Sequence, residues 1–185
     1  MTRTFRTSLI AAALVVSGAS LGYAKTSNPM VGGAAMYPTK NIIENAVNSK
    51  DHTTLVAAVK AAGLVETLSG PGPFTVFAPT NAAFAKLPAG TVETLVKPEN
   101  KGTLTTILTY HVVPGRITAA NIAASAKAHQ GVASYTTVQG GTLTFKKGMK
   151  GWTITDAKGN TGKITIANVM QSNGVIHVID TVMMP

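Results

Sequence analysis

The sequence has no cysteine, few charged residues and few aromatic ones. Of its 185 residues, 12% are charged, 5% are aromatic and seven are acidic. The lack of cysteine excludes disulfide scaffolds, thiolate zinc sites, a cysteine nucleophile and a lipid-modified N-terminal cysteine. Apolar residues are abundant at 45%, and this length is enough for one domain with a substantial core. Low charge with positive mean hydropathy argues against disorder.

Residues 1–24 have the three-part pattern of a secretory signal peptide. Arg3 and Arg6 precede the apolar run 9–16, and Gly22 and Ala24 place small residues at the −3 and −1 positions of a cleavage site. The apolar run is much shorter than the roughly 20 residues that span a bilayer. We therefore expect cleavage after Ala24, export to a periplasm or the cell exterior, and no stable membrane insertion. The mature chain would carry a net charge of +7.

The pattern after the signal peptide divides the chain into a leader and one domain. Residues 25–38 mix glycine, proline and small residues without periodicity, which predicts a flexible leader. Residues 39–185 contain the periodic segments and form the predicted domain. No internal repeat divides it further.

The domain begins with helices and ends with strands. Apolar residues recur at helical spacing in 42–47, 55–62 and 104–108, and Asp51, Thr80 and Thr91 are predicted N-caps. The β-branched and aromatic segment 74–78 predicts one early strand. After residue 130 the period changes to two, which predicts strands at 133–138, 142–146, 152–155, 163–169 and 175–182. Asn173-Gly174 predicts a type I′ hairpin turn. This order indicates an α+β domain.

Three segments, 74–84, 107–115 and 173–185, occur in an order and spacing that resemble the fasciclin (FAS1, beta-Ig-H3) family. The resemblance covers roughly 39–185. Its signature residues here are Thr75, Phe77, Pro79, Thr80, Asn81, Phe84, Asn173, Gly174, His177 and Asp180. The resemblance implies a β-wedge of about seven strands packed with several helices. It also implies cell adhesion or matrix binding rather than catalysis.

The family's adhesion motif, Tyr110-His111, is retained, whereas the acidic motifs tied to integrin binding are not evident. Tyr110 and His111 are therefore candidate partner-binding residues. A single copy has one binding site, so it would bridge two surfaces only as an oligomer. As a monomer it would act as a soluble ligand for a cell-surface or matrix partner.

Individual residues give no indication of catalysis or of a metal or cofactor site. His111 and His177 have apolar neighbours and are interpreted as buried, hydrogen-bonded groups, and Phe77 as a core residue. His52 and His129 lack ligand spacing. No acidic pair has the local spacing for acid–base catalysis, and no nucleophile elbow or phosphate loop occurs. We expect a non-enzymatic protein without cofactors.

The remaining candidates for partner binding lie in the basic segment 141–163. They are Lys146, Lys147, Lys150, Lys158 and Lys163, with Trp152 between them. One interpretation is that these lysines keep turns and sheet edges soluble. The other is contact with a polyanion, such as an acidic polysaccharide. Nucleic acid is not expected, because no reader motif occurs. The alternative function is a small-ligand carrier or enzyme that uses a crevice between the helices and the wedge.

Overall fold

A computed structural model describes residues 28–185, so the predicted signal peptide lies outside the described residues. The helices are α1 (Ile42–Ala46), α2 (Thr53–Ala62), α3 (Val65–Ser69), α4 (Asn81–Ala85), α5 (Thr91–Leu95), α6 (Lys101–Tyr110) and α7 (Ala119–Ala128). Short 3₁₀ turns, Lys50–His52 and Pro98–Asn100, precede α2 and α6. The strands are β1 (Met30–Val31), β2 (Ala34–Ala35), β3 (Phe74–Pro79), β4 (Val112–Pro114), β5 (Val132–Thr136), β6 (Thr142–Gly148), β7 (Gly151–Thr155), β8 (Thr161–Gln171) and β9 (Gly174–Ile179).

Seven strands form one sheet in the order β4-β3-β9-β8-β7-β6-β5. Strands β3 and β9 pair in parallel, and the other neighbours are antiparallel. The sheet curls until the N–H of Val138, just after β5, donates to the carbonyl of Val112 in β4 (2.7 Å). The predicted α+β class and the wedge of about seven strands are confirmed.

Two hydrophobic clusters pack on opposite sides of β3 and β9. One lies between the sheet and helices α1–α6 and includes Leu55, Val76 and Ile176. The other fills the curled sheet beneath α7 and includes Phe77 and Phe145. Adjacent residues of β3 thus enter different clusters, because successive side chains of a strand point to opposite faces. This two-sided burial explains why 74–79 is almost uniformly apolar.

The prediction of a flexible leader over 25–38 is wrong for its described part. Strands β1 and β2 form a small hairpin, and Val31 and Met36 beside it are 4% and 2% exposed. Gly32 (φ +57°) lies so close to Ser49 and Lys50 that a Cβ there would clash with both. The segment docks through these two apolar residues and through hydrogen bonds such as that from the Lys50 N–H to the Gly32 carbonyl (3.2 Å), and local periodicity reveals none of these contacts.

The predicted type I′ turn at Asn173-Gly174 is also wrong, although the hairpin itself exists. Gln171 pairs with Gly174, so the turn residues are Ser172 and Asn173, and neither has a positive φ. Gly174 is required for another reason, since a Cβ there would lie 2.0 Å from the carbonyl oxygen of Phe74.

The side chain of Asn173 joins three separate segments. Its Oδ1 accepts from the N–H of Ile42 (3.0 Å), and its Nδ2 donates to the carbonyls of Leu68 (2.8 Å) and Gly70 (2.9 Å). Asn173 therefore fixes α1 and the end of α3 against the β8–β9 turn.

One of the three predicted helix caps is confirmed. Thr80 Oγ1 accepts from the N–H of Ala83 (3.2 Å) at the start of α4. Asp51 and Thr91 do not cap, because α2 and α5 have His52 and Gly90 at the N-cap position. The open N–H of Thr54 at the start of α2 is satisfied instead by Asn81 Oδ1 (3.0 Å).

Within 28–185, none of the helices has the length and apolar character needed to cross a bilayer.

Candidate functional site

Tyr110 and His111, the predicted adhesion motif, lie in the interior. Tyr110 is 0% exposed and His111 is 2% exposed. The Tyr110 hydroxyl donates to the carbonyl of Thr142 (2.8 Å) and accepts from the N–H of Ala157 (2.9 Å). Neither side chain can touch a partner in this structure. The prediction that they bind a partner is corrected here, because both hold the end of α6 against the curled sheet.

His111 is fully hydrogen-bonded and lies at the C-cap of α6. Its Nδ1 donates to the carbonyl of Ile107 (2.8 Å), and its Nε2 accepts from the N–H of Met183 (3.0 Å). Burial lowers the pKa of His111 to about 4, outweighing the Ile107 hydrogen bond and the charge of Asp156. The ring is therefore neutral near pH 7 and links α6 to the segment after β9.

His177 is also structural, as its apolar flanks predicted. It is 0% exposed, stacks on Phe77 with ring centroids 5.4 Å apart, and bonds through Nε2 to the carbonyl of Ile117 (2.8 Å). Burial lowers its pKa, against the opposite effect of the Ile117 hydrogen bond. Phe77 itself is 0% exposed and contacts Phe145, which confirms it as a core residue.

The lysines of segment 141–163 divide between two faces and two ends of the sheet. Lys146 pairs with Thr153, and Thr153 pairs with Lys163, so these three residues form one row across β6, β7 and β8. Two inter-strand spacings separate the two lysine Cα atoms, about 10 Å. Paired residues share a face, so both lysines point outward beside Thr153.

A surface groove of about 290 Å³ lies beside this row at the β6–β7 turn. Its walls include Lys150, Lys163, Thr153 and Met149, the last fully exposed. We call the groove and the adjoining Lys146 the basic groove. It is the surface where the structure brings three of the predicted lysines together.

The other candidates lie elsewhere. Lys147 pairs with Trp152 on the opposite face, where Trp152 is half-buried against the hydrophobic cluster that contains Phe77 and Phe145. Lys158 lies in the β7–β8 turn, at the far end of β7. Trp152 therefore offers no stacking platform to a ligand in the basic groove.

A second row, of threonines, runs next to the basic groove on the same face. Thr144 pairs with Thr155, and Thr155 pairs with Thr161. The hydroxyls of Thr155 and Thr161 lie 3.1 Å apart and are hydrogen-bonded. The outer face of β6–β8 thus combines cations with hydroxyl groups.

Asp180 lies at the edge of this surface. Partial burial raises its pKa, but hydrogen bonds from the Lys163 N–H and the Thr181 hydroxyl, with the charges of Lys86 and Lys163, lower it on balance. Its carboxylate is 3.7 Å from Lys86 Nζ, the only ion pair within residues 28–185. Lys146 and Lys150 therefore keep their charge available, whereas Asp180 offsets part of that of Lys163.

The crevice expected between helices and sheet exists as a small apolar cavity. It measures about 50 Å³ and lies between α1, α2, α3 and the sheet. Its aliphatic walls include Ile42, Leu55, Val59, Leu68, Val76 and Ile176. The polar side chains among its lining residues include Ser49, His52 and His111.

His52 differs from the other buried histidines, because Nε2 has no hydrogen-bond partner among the described residues. The ring is 3% exposed, and Nδ1 lies 2.8 Å from Ser49 Oγ. Burial lowers the pKa of His52, against the effects of the Ala78 backbone and Asp51. No local pattern in the sequence marks His52 as part of a site, because the cavity is assembled from distant segments.

The comparisons with known proteins agree with this fold. The family model "Fasciclin domain" matches residues 50–185, which hold the seven-stranded sheet and α2–α7. The chain belongs to the fasciclin domain family. Its signature residues Thr75, Phe77, His177 and Gly174 are buried in the central strands or their ends, so the family pattern records mainly how the domain holds together.

Bacterial relatives share this fasciclin domain over most of the chain. Protein sll1483 of Synechocystis sp. is 52% identical over 158 residues, covering 84% of this chain and 79% of the relative. Immunogenic protein MPB70 of Mycobacterium bovis is 38% identical, covering 76% and 66%. Cell surface glycolipoprotein MPB83 of the same species is 35% identical, covering 85% and 61%. The chain is thus related to mycobacterial proteins, one of which is named as a cell surface glycolipoprotein.

A solved structure shows the same fold at low sequence identity. It is the FAS1 domain pair from the insect cell adhesion molecule Fasciclin I, with a TM-score of 0.69 and 16% identity. The match covers 79% of this chain and 51% of that one. At this identity the likeness establishes the fasciclin fold alone.

Residues 28–185 of this fasciclin domain contain no group of three or more histidine, aspartate or glutamate side chains placed to hold a metal ion. Asp156 illustrates why. Its carboxylate is 6% exposed and already accepts from the N–H groups of Lys158 (3.0 Å), Asn160 (2.8 Å) and Met184 (2.9 Å). It organises the β7–β8 turn instead.

Proposed function

We propose that this fasciclin-domain protein is exported and binds an acidic polysaccharide of a cell surface or matrix through the basic groove. The observation that carries the proposal is the row Lys146–Thr153–Lys163, extended by Lys150 at the groove wall. The kinship with a mycobacterial cell surface glycolipoprotein supports an envelope location, as does the signal-peptide pattern of residues 1–24. We also propose that the protein is not an enzyme.

The chemistry of the surface favours a linear anionic glycan over other polyanions. Lysine ammonium groups attract anionic groups without fixing their geometry, and the neighbouring threonines can exchange hydrogen bonds with sugar hydroxyls. The lysines stand about two strand spacings apart, so they would engage separate anionic groups along a chain. Without an aromatic platform, binding would be mainly electrostatic and would weaken as salt rises.

A salt-series titration against defined glycans tests the proposal. The protein, purified from a host that exports it, is titrated with a polyuronate and with uncharged dextran at rising ionic strength. We expect binding to the polyuronate alone, and its loss as salt increases. In the variant Lys146→Ser/Lys150→Ser/Lys163→Ser, affinity should fall by about tenfold or more, taking roughly 0.5 kcal/mol or more for each exposed charge contact.

A charge-matched variant separates the basic groove from net charge. Lys97→Ser/Lys127→Ser/Lys158→Ser removes three exposed lysines outside the groove and should stay within about twofold of the wild type, since net charge alone acts weakly at physiological salt. Equal losses of polyuronate affinity in both variants would show that binding depends on net charge and not on the basic groove. Binding to neither glycan by the wild type would refute the proposal and leave the lysines as solubility features.

A further inference from the structure

The apolar cavity beneath α1 and α2 is separate from the basic groove and has an opening. The lining side chains Ile43 and Ala46 of α1 and Val56 of α2 are half-buried, and Lys60 of α2 is exposed. The gap between these two helices is therefore where the cavity approaches solvent. Deeper lining residues, such as Val76 and Leu108, are almost fully buried.

Within residues 28–185, His52 Nε2 is the buried side-chain polar atom that has no hydrogen-bond partner, and His52 lines this apolar cavity. A buried polar group without a partner loses its hydrogen bonds to water and gains none in return, so its retention calls for an explanation. Ser49 Oγ lies 2.8 Å from Nδ1, and the Ala78 backbone lies near enough to raise the pKa of the ring, but Nε2 makes no hydrogen bond of good geometry within residues 28–185. The other histidines near this region, His111 and His177, have both ring nitrogens bonded.

The geometry points to a binding site for an aliphatic alcohol, whose chain occupies the cavity and whose hydroxyl bonds to His52 Nε2. A hydroxyl both donates and accepts, so it suits either tautomer of the neutral ring. Apolar cavities take up small apolar molecules readily, because dry walls gain contacts without losing bound water. A volume of about 50 Å³ is about a third of the roughly 150 Å³ of a cavity that binds benzene. It therefore accepts only the hydroxyl end and the first carbons of a chain, and the rest of the chain would extend to solvent between α1 and α2.

Paired probes test the hydroxyl separately from the chain. The full protein is titrated with 1-hexanol and with 1-fluorohexane, which is similar in size but lacks the hydroxyl donor, while methyl NMR signals of Val59, Leu68 and Ile176 are followed. Both probes should shift these signals. In His52→Leu the dissociation constant of 1-hexanol, divided by that of 1-fluorohexane, should rise about tenfold over its value in the wild type. The reason is that the hydroxyl then lies in the cavity without a partner.

A second pair of variants controls for folding. Ala46→Met fills the opening and should abolish the shifts of both probes, whereas Ala61→Met, on the exposed side of α2, should leave them unchanged. An unchanged ratio in folded His52→Leu would exclude His52 from the site. Absence of shifts in the wild type, or equal binding by Ala46→Met, would show that the cavity is only a packing gap.

Discussion

Stability of this protein should fall in acid, and His111 should account for a defined share of the fall. The imidazole is buried and its pKa is lowered to about 4 in the folded protein, against about 6.5 in an unfolded chain. At pH values between 4 and 6.5, His111 is mostly protonated in the unfolded chain and mostly neutral in the folded protein. The loss of unfolding free energy caused by His111 is therefore absent above about pH 7, grows as pH falls below 6.5, and levels off below 4.

The size of the effect follows from the two pKa values. Between pH 7.5 and 4.5, linkage predicts a loss of about 2–3 kcal/mol from His111 alone. The free energy of unfolding would be measured with urea at both pH values for the wild type and for His111→Gln. Glutamine can keep an acceptor near the Met183 N–H but does not titrate. The variant should be less stable at pH 7.5.

Comparison of the two proteins isolates His111 from other titrating groups. Carboxylates, His52 and His177 contribute equally to both, so the difference in unfolding free energy between the two proteins should change by about 2–3 kcal/mol in favour of the variant on going to pH 4.5. A gap of the same size at both pH values would refute the reasoning. It would mean that the His111 ring takes up its proton in the folded protein as easily as in the unfolded chain.

Three substitutions test other parts of the structure by urea unfolding at pH 7. Phe77→Ala should cost about 3–5 kcal/mol, because a fully buried ring between Phe145 and His177 is removed; an unchanged midpoint would contradict its core position. Asn173→Ala should cost about 2–4 kcal/mol, since three hydrogen bonds to α1, Leu68 and Gly70 are lost; a cost below about 0.5 kcal/mol would show that these bonds are replaced by water. Asp156→Asn should cost about 1–3 kcal/mol, because an amide group then faces at least one N–H donor; equal stability would mean that the turn does not depend on the carboxylate.

The sequence predicted best the features that depend on local periodicity. The strand at 74–79 is recognisable because both of its faces are packed, so its residues are almost all apolar. The strands after residue 130 are recognisable because buried and outward-facing side chains alternate along them. Strand ends differed by up to two or three residues, most at 175–182, which ends at Ile179. Pairing there is limited by the partner strand, which local sequence does not reveal.

Features that depend on distant contacts were missed. The β1–β2 hairpin docks through Val31 and Met36, and a low-periodicity segment gives no sign of that. Asn173 was noticed as a turn residue, yet its role is to bond segments more than 100 residues away. Tyr110 is polar at one end, and only the fold shows that its hydroxyl meets Thr142 inside the protein.

The same limit applies to the candidate sites. Grouping Lys146, Lys150 and Lys163 required the register of β6, β7 and β8, which also separated Lys158 and Lys147 from them. The cavity at His52 required helices α1 and α2 to pack on β3. Sequence reasoning supplied the lysines as candidates but not their arrangement, and it did not supply His52.

The placement of β9 has a consequence for how the protein is made. Within residues 28–185, β9 is synthesised after every other strand of the sheet, yet it lies between β3 and β8 and pairs with both, which joins the β4-β3 pair to the β8-β7-β6-β5 ladder. Until residues 174–179 are present, the two parts cannot close into one sheet, and pairing β3 with β9 then closes a loop of about one hundred residues. Completion of the sheet must therefore wait until nearly the whole chain has been synthesised.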